Sequence, residues 1–151
     1  MPSDELHGLS LLTQVPHGSL AISLRAMPFV APASHVVAGD GSVLLRVPAG
    51  LGCHEACGGS VVAYGAAAYG TDGSDGADGP GSGAHPLWSV QFTGTAELVE
   101  PGEAERKSFG GGADVHAADA AYLRIRPRFV TVHSLGRSDG HSEERPTHHV
   151  M

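Results

Sequence analysis

The stretch Gly18–Val47, GSLAISLRAMPFVAPASHVVAGDGSVLLRV, decides the fold. Leu20, Ile22 and Leu24 alternate with small or polar residues, the period of a strand with one buried face. Arg25-Ala26-Met27 makes a reversal, and a second strand follows from about Phe29 to Val37. Ala38-Gly39-Asp40-Gly41 is a hairpin loop, and Ser42–Val47 is a third strand. Pro28 and Pro32 donate no ladder hydrogen bond, so they belong at a strand start, an edge or a bulge. An interrupted ladder of this kind leaves backbone groups open to a ligand.

A second β-rich run, LWSVQFTGTAELVE, extends from Leu87 to Glu100 as one long strand. Ser60 to about Ala68 forms another. The last two, Ala121–Arg126 and Phe129–Leu135, are broken at Pro127. Helices are short. Ser3 caps one over about Asp4–Gln14, with Asp4 and Glu5 at its positive end and Leu6, Leu9 and Leu12 at helical spacing before Pro16 stops it. Another lies around Cys53 within Pro48–Gly59. A third runs from Gly102 to Phe109 behind Pro101, before the glycine-rich loop Gly110–Gly112. The expected class is mainly β: an antiparallel six- to seven-stranded split β-barrel with short flanking helices.

A chain of 151 residues, 41% hydrophobic, suits one domain with a real core, placed here at residues 1–135. The run from Tyr69 to Pro86 is Gly, Ser, Asp and Pro with little to bury, and reads as a flexible insertion. Residues 136–151 are charged and His-rich without periodicity, and read as a disordered tail. A net charge of −7 with a single lysine, Lys107, argues against nucleic-acid binding. No run of about 18 apolar residues marks a membrane span. The acidic N-terminus has no secretory pattern, so the expected location is the cytoplasm.

Metal is not expected. Cys53 and Cys57 stand at i and i+4 with His54 and Glu55 between them, short of the four ligands in two pairs of a structural zinc site. They read instead as small residues on the buried face of a helix. The Asp-Gly pairs of the insertion lack the terminal glutamate of a calcium loop. His35 on an alternating strand is either a haem or metal ligand or a packed polar residue, with packing the default. His17, in a turn, is either a plain turn residue, the default, or one that reaches a substrate. Arg124 and Arg126 share one face opposite Ile125, either salt-bridged or facing an anionic cofactor.

Four pieces, in order, carry a resemblance: Arg25–Gly39 (RAMPFVAPASHVVAG), Leu45–Cys53 (LRVPAGLGC), Trp88-Ser89-Val90 with Gly94 and Ala96, and Leu123–Pro127 (LRIRP) with Phe129-Val130-Thr131. Together they resemble the flavin-binding split barrels related to pyridoxamine 5'-phosphate oxidase, over about Leu9 to Leu135. The resemblance implies a homodimer with flavin mononucleotide (FMN) in clefts at the interface. It implies that the backbone of Ala31, Pro32, Ala33 and Ser34 meets the isoalloxazine edge. The segment with Arg46, Val47 and Gly52 would face the phosphate, and Trp88 and Ser89 would lie close by. The chain departs from the family pattern in three places: Gly52 stands where it has Lys, Val47 where it has Thr, and Thr131-Val132-His133 where it has Thr-Gly-Arg/Lys. Relatives also use a deazaflavin or haem. The implied activity is oxidoreduction of a small organic substrate by an FMN enzyme, with a reduced nicotinamide as possible donor and no catalytic triad, because the cofactor carries the chemistry. The alternatives are a non-catalytic carrier of flavin, deazaflavin or haem, and a cofactor-free member of the family.

Overall fold

Seven strands form because apolar residues recur at every second position between glycine- and proline-marked turns. The computed structural model describes residues 3–70, 85–110 and 119–134. Most of the 69–86 insertion, the end of the Gly110–Gly112 loop and the 136–151 tail lie outside the described residues. The elements are α1 (Ser3–Leu12), β1 (His17–Leu24), β2 (Met27–Val37), β3 (Val43–Pro48), a 3-10 turn (Ala49–Leu51), α2 (Cys53–Cys57), β4 (Val61–Gly70), β5 (His85–Val99), α3 (Glu103–Lys107), β6 (Ala120–Ile125) and β7 (Arg128–Ser134).

The strands run antiparallel in the order β4-β1-β2-β3-β6-β5-β7, and a β4–β5 pairing closes six of them into a barrel. β7 is the extra strand. It becomes so because β5 is long enough to serve two partners along one edge: Trp88–Thr93 pairs with β7, and Ala96–Val99 with β6. Gly94 sits between the two pairings. A side chain there would stand 2.5 Å from the Arg126 carbonyl oxygen and 2.6 Å from Ile125 Cγ2, so the chain passes from β6 to β7 over a bare backbone.

Inward-facing Leu20, Ile22, Ala31, Leu45, Tyr64, Phe92, Leu123 and Ile125 fill the barrel. Leu9 and Leu12 of α1 join this core, whereas Leu6 is exposed. α1 lies so close to β7 that a Cβ at Gly8 would stand 2.5 Å from Val130 Cγ1.

The hairpin β1–β2 turns in two residues, not three. Arg25 and Ala26 both have positive φ, 50° and 64°, as required where a tight turn must match the right-handed twist of its strands. β2 therefore begins at Met27. It pairs with β1 over Met27–Ser34 but with β3 only over Ser34–Val37. Among the described residues, Met27–Ala33 has no partner on its second side. Pro28 and Pro32 both lie in this half, the edge position expected of them.

Candidate functional site

Where β2 and β3 part, they leave a wedge. β3 continues through Val47 and Pro48 against β6, while β2 turns away. The result is a hollow of about 240 Å³ lined by His17, Gly18, Pro32–Ser34 and Arg46–Pro48. The register places Ser34 between His17 of β1 and Arg46 of β3, and a hydrogen bond of 3.3 Å joins Ser34 Oγ to His17 Nδ1. Among the described residues, Arg46 Nε is buried without a hydrogen-bond partner. An unsatisfied buried donor costs about 1–3 kcal/mol, and the side chain that carries this one also lines the hollow.

The guanidinium of Arg46 lies over the ring of Phe109, 5.0 Å from its centroid. Phe109 in turn meets Tyr122 edge-on at 5.7 Å.

A larger groove of about 570 Å³ runs over the outer face of β1, β4 and β5 and shares His17 and Gly18 with the first. Its walls include Ser19, Ala63, Gly65, Tyr69, Ser89 and Gln91, and no described lining residue is Asp, Glu, Lys or Arg. Gly18 has no room for a side chain, since a Cβ would stand 2.5 Å from both the Gly65 carbonyl oxygen and Tyr64 Oη.

Five of the nine residues singled out in the sequence line the smaller hollow together: Pro32, Ala33, Ser34, Arg46 and Val47. Ser89 lines the groove beside it. Ala31 is wholly buried in the core. Trp88 is half-buried against that core and lines neither cavity.

The two departures on the phosphate segment now have structural reasons. Val47 is wholly buried in the barrel core, so strand alternation sends a side chain at this position inward. Gly52 joins the 3-10 turn to α2 with φ of 68°, a left-handed conformation in which a lysine would be strained. It does not line the hollow.

The remaining polar candidates are already engaged. His35 is buried; its Nε2 meets the Leu12 carbonyl oxygen at 2.7 Å and its Nδ1 bonds the Tyr64 hydroxyl. With Nε2–H donating to a carbonyl, Nδ1 accepts from Tyr64, which fixes a neutral ring with no nitrogen left for a metal. Arg124 donates to Glu105 at 2.9 Å and Arg126 pairs with Asp40 at 3.8 Å, the salt-bridged reading of that face. Cys53 and Cys57 lie in the core, and burial pushes the Cys57 thiol up to about 11. Among the described residues no three His, Cys, Asp or Glu side chains gather to hold a metal.

Burial also pushes the pKa of His35 below its ordinary value of 6.5, outweighing the Leu12 and Val15 carbonyls that raise it. The folded ring therefore resists a proton that the unfolded chain accepts near pH 6.5. Stability is unaffected above that pH. It falls as pH drops from about 6.5 toward the depressed folded value, by at most about 1.4 kcal/mol per pH unit from this group. Urea midpoints between pH 7.5 and 5 should fall less steeply in His35→Gln than in the native protein; equal slopes would contradict this assignment.

Sequence reasoning missed Phe109 and Tyr122. The sequence profile of the family described as pyridoxamine 5'-phosphate oxidase matches residues 4–134, nearly all of the described chain. The chain belongs to the pyridoxamine 5'-phosphate oxidase family. Solved structures share the fold. An FAD binding protein from Mycobacterium smegmatis is 20% identical, covering 85% of this chain and 92% of its own, with a TM-score of 0.58. A flavocytochrome from Azotobacter vinelandii is 13% identical, covering 86% and 67%, at 0.58. A heme binding protein from Mycobacterium smegmatis is 17% identical, covering 91% and 57%, at 0.61. No curated protein matches the chain. For this member of the pyridoxamine 5'-phosphate oxidase family, such distant likenesses speak to the split barrel alone. Among the described residues, no helix is long and apolar enough to cross a membrane.

Proposed function

We propose that the protein binds FMN, with the phosphate in the hollow between β2 and β3, and that it is an oxidoreductase acting on a small organic substrate. The observation that carries this reading is Arg46, the one arginine among the described lining of a hollow that also presents Ser34 and His17. An anion entering there meets the guanidinium of Arg46, and a charge-assisted hydrogen bond is about twice as strong as a neutral one. One arginine in the hollow matches one phosphate, which favours FMN over a dinucleotide. The adjoining groove, with no charged side chain among its described walls, suits a neutral ring system. Its serine, glutamine and backbone groups supply the donors and acceptors that a flavin edge requires.

A bound flavin supplies the electron and hydride transfer itself. The chain's part is to hold and orient. Arg46 neutralises the phosphate, the Ser34 hydroxyl and His17 ring complete its contacts, and the rigid β1–β2–β3 ladder fixes these groups relative to the groove. The relatives named as binding FAD or heme are consistent with a cofactor in this barrel. For haem, however, His35 has no free nitrogen to offer.

A homodimer accompanies this reading. Val30, Ala21 and Ala63 stand in register across β2, β1 and β4, and Met27, Val30 and Val61 are 69%, 65% and 71% exposed. Exposed apolar side chains beside a face of small residues fit a two-fold partner. A reduced nicotinamide is the proposed electron donor.

The test is an absorption spectrum of the purified protein and a titration with FMN followed by flavin fluorescence. Expected is micromolar or tighter binding, with riboflavin, which lacks the phosphate, bound more weakly. A colourless protein that leaves FMN fluorescence unchanged would overturn the reading.

A further inference from the structure

We propose that Phe109 is a positioning residue for the anion site: its ring, carried by the end of α3, fixes the Arg46 guanidinium so that its N–H edge is presented to the hollow. The inference rests on the phosphate reading above, but its evidence is separate. A guanidinium has two uses for its charge. Its face is attracted to an aromatic ring, and its edge donates hydrogen bonds in the plane. The Arg46 guanidinium carbon lies over the Phe109 ring, 5.0 Å from its centroid, and a ring against a guanidinium's face leaves the in-plane donors for an acceptor.

The ring has a buried neighbour, and further contacts hold that neighbour and α3 in place. It meets Tyr122 edge-on at 5.7 Å, and Tyr122, Arg46's register partner on β6, is buried. Arg106 lies over the Tyr122 ring at 5.5 Å and donates from Nε to the Pro101 carbonyl oxygen at 3.1 Å. Glu105 accepts from Arg124 of β6 at 2.9 Å. α3 buries none of its five residues, so these polar and cation–π contacts, not an apolar face, dock it on the barrel. Gly110, with φ of 73° and its N–H on the Lys107 carbonyl at 3.1 Å, ends the helical turn just after Phe109 and so sets where the ring falls.

Without this stack, a long flexible side chain would have to be ordered by the ligand, and the affinity would bear that entropy. The consequence is selective for ligands with a phosphate. Phe109→Leu, which keeps apolar bulk but loses the ring, is expected to weaken FMN by about three- to tenfold and leave riboflavin unchanged. Phe109→Tyr is expected to bind FMN as the native protein does. An equal loss for FMN and riboflavin, or none for FMN, would overturn the proposal. A second measurement needs no flavin. In the ligand-free protein, the buried Arg46 Nε–H should give a resolved ¹⁵N resonance, shifted upfield by the ring, that persists in Phe109→Tyr and broadens or moves downfield in Phe109→Leu. An Arg46 resonance that is the same in Phe109→Leu would sink the positioning role. A native protein that ignores FMN while showing this resonance behaviour would sink the phosphate reading and leave the positioning role standing.

Discussion

Gly94→Ala is expected to destabilise the protein by about 2–4 kcal/mol, a large share of what a domain this size has to lose. The substitution adds one methyl group to an ordinary strand position, and in most strands it would be harmless or mildly favourable. Here the added carbon would stand 2.5 Å from the Arg126 carbonyl oxygen and 2.6 Å from Ile125 Cγ2. The isoleucine could rotate away, but the carbonyl belongs to the backbone just where the chain leaves β6 for β7. Relief would have to come from moving that crossing, and with it either the Ala96–Ile125 pairing that joins β5 to β6 or the Thr93–Arg128 pairing that helps hold the extra strand. Ala96→Gly, two residues along the same strand, serves as the comparison. It removes a methyl group from a buried site and should cost only about 1 kcal/mol. Urea denaturation of the two variants separates these cases. If Gly94→Ala loses no more than Ala96→Gly, the crossing is softer than its geometry implies.

Arg46→Ala is expected to weaken FMN binding by about 10- to 100-fold, the loss of one charge-assisted hydrogen-bonding group, while riboflavin binding changes little. Stability should stay within about 1 kcal/mol, because the substitution gives up a cation–π contact but also removes a buried donor without a partner among the described residues. Arg46→Lys should fall between, since an ammonium keeps the charge but not the planar fork. Parallel titrations of FMN and riboflavin check this directly. Equal losses for both ligands would mean that Arg46 shapes the site instead of holding the phosphate.

The strands were legible because their alternation is strong: Leu20, Ile22, Leu45, Phe92, Leu123 and Ile125 all point inward as their spacing requires. Boundaries moved by a residue or two where turns are tighter than composition shows, as at Arg25-Ala26. The hollow was partly legible as well. Ser34 and Arg46 could be named from the resemblance, and the register then set them side by side. Phe109 and Tyr122 could not be found this way. They reach Arg46 only because β3 and β6 become neighbours when the barrel closes, and nothing local in Glu103–Gly110 records that neighbour. Val47 and Gly52 illustrate the opposite limit. Read alone, they are two absent phosphate partners. In the fold, one points into the core and the other makes a left-handed turn.

The half of β2 that β3 abandons has one more implication, for how this protein avoids polymerising. In a hairpin closed by two residues, Leu24 and Met27 exchange hydrogen bonds, so the N–H groups of even-numbered residues in β2 point away from β1. Along Met27–Ala33 those residues are Pro28, Val30 and Pro32. Two of the three carry no hydrogen, and the β1–β2 ladder loses nothing by it. A stray strand arriving at this edge would find a single backbone donor, at Val30, and too little to template on. The same two prolines that keep the cleft open to a small ligand thus make it a poor seed for cross-β growth, and a partner seated here must be held by its side chains.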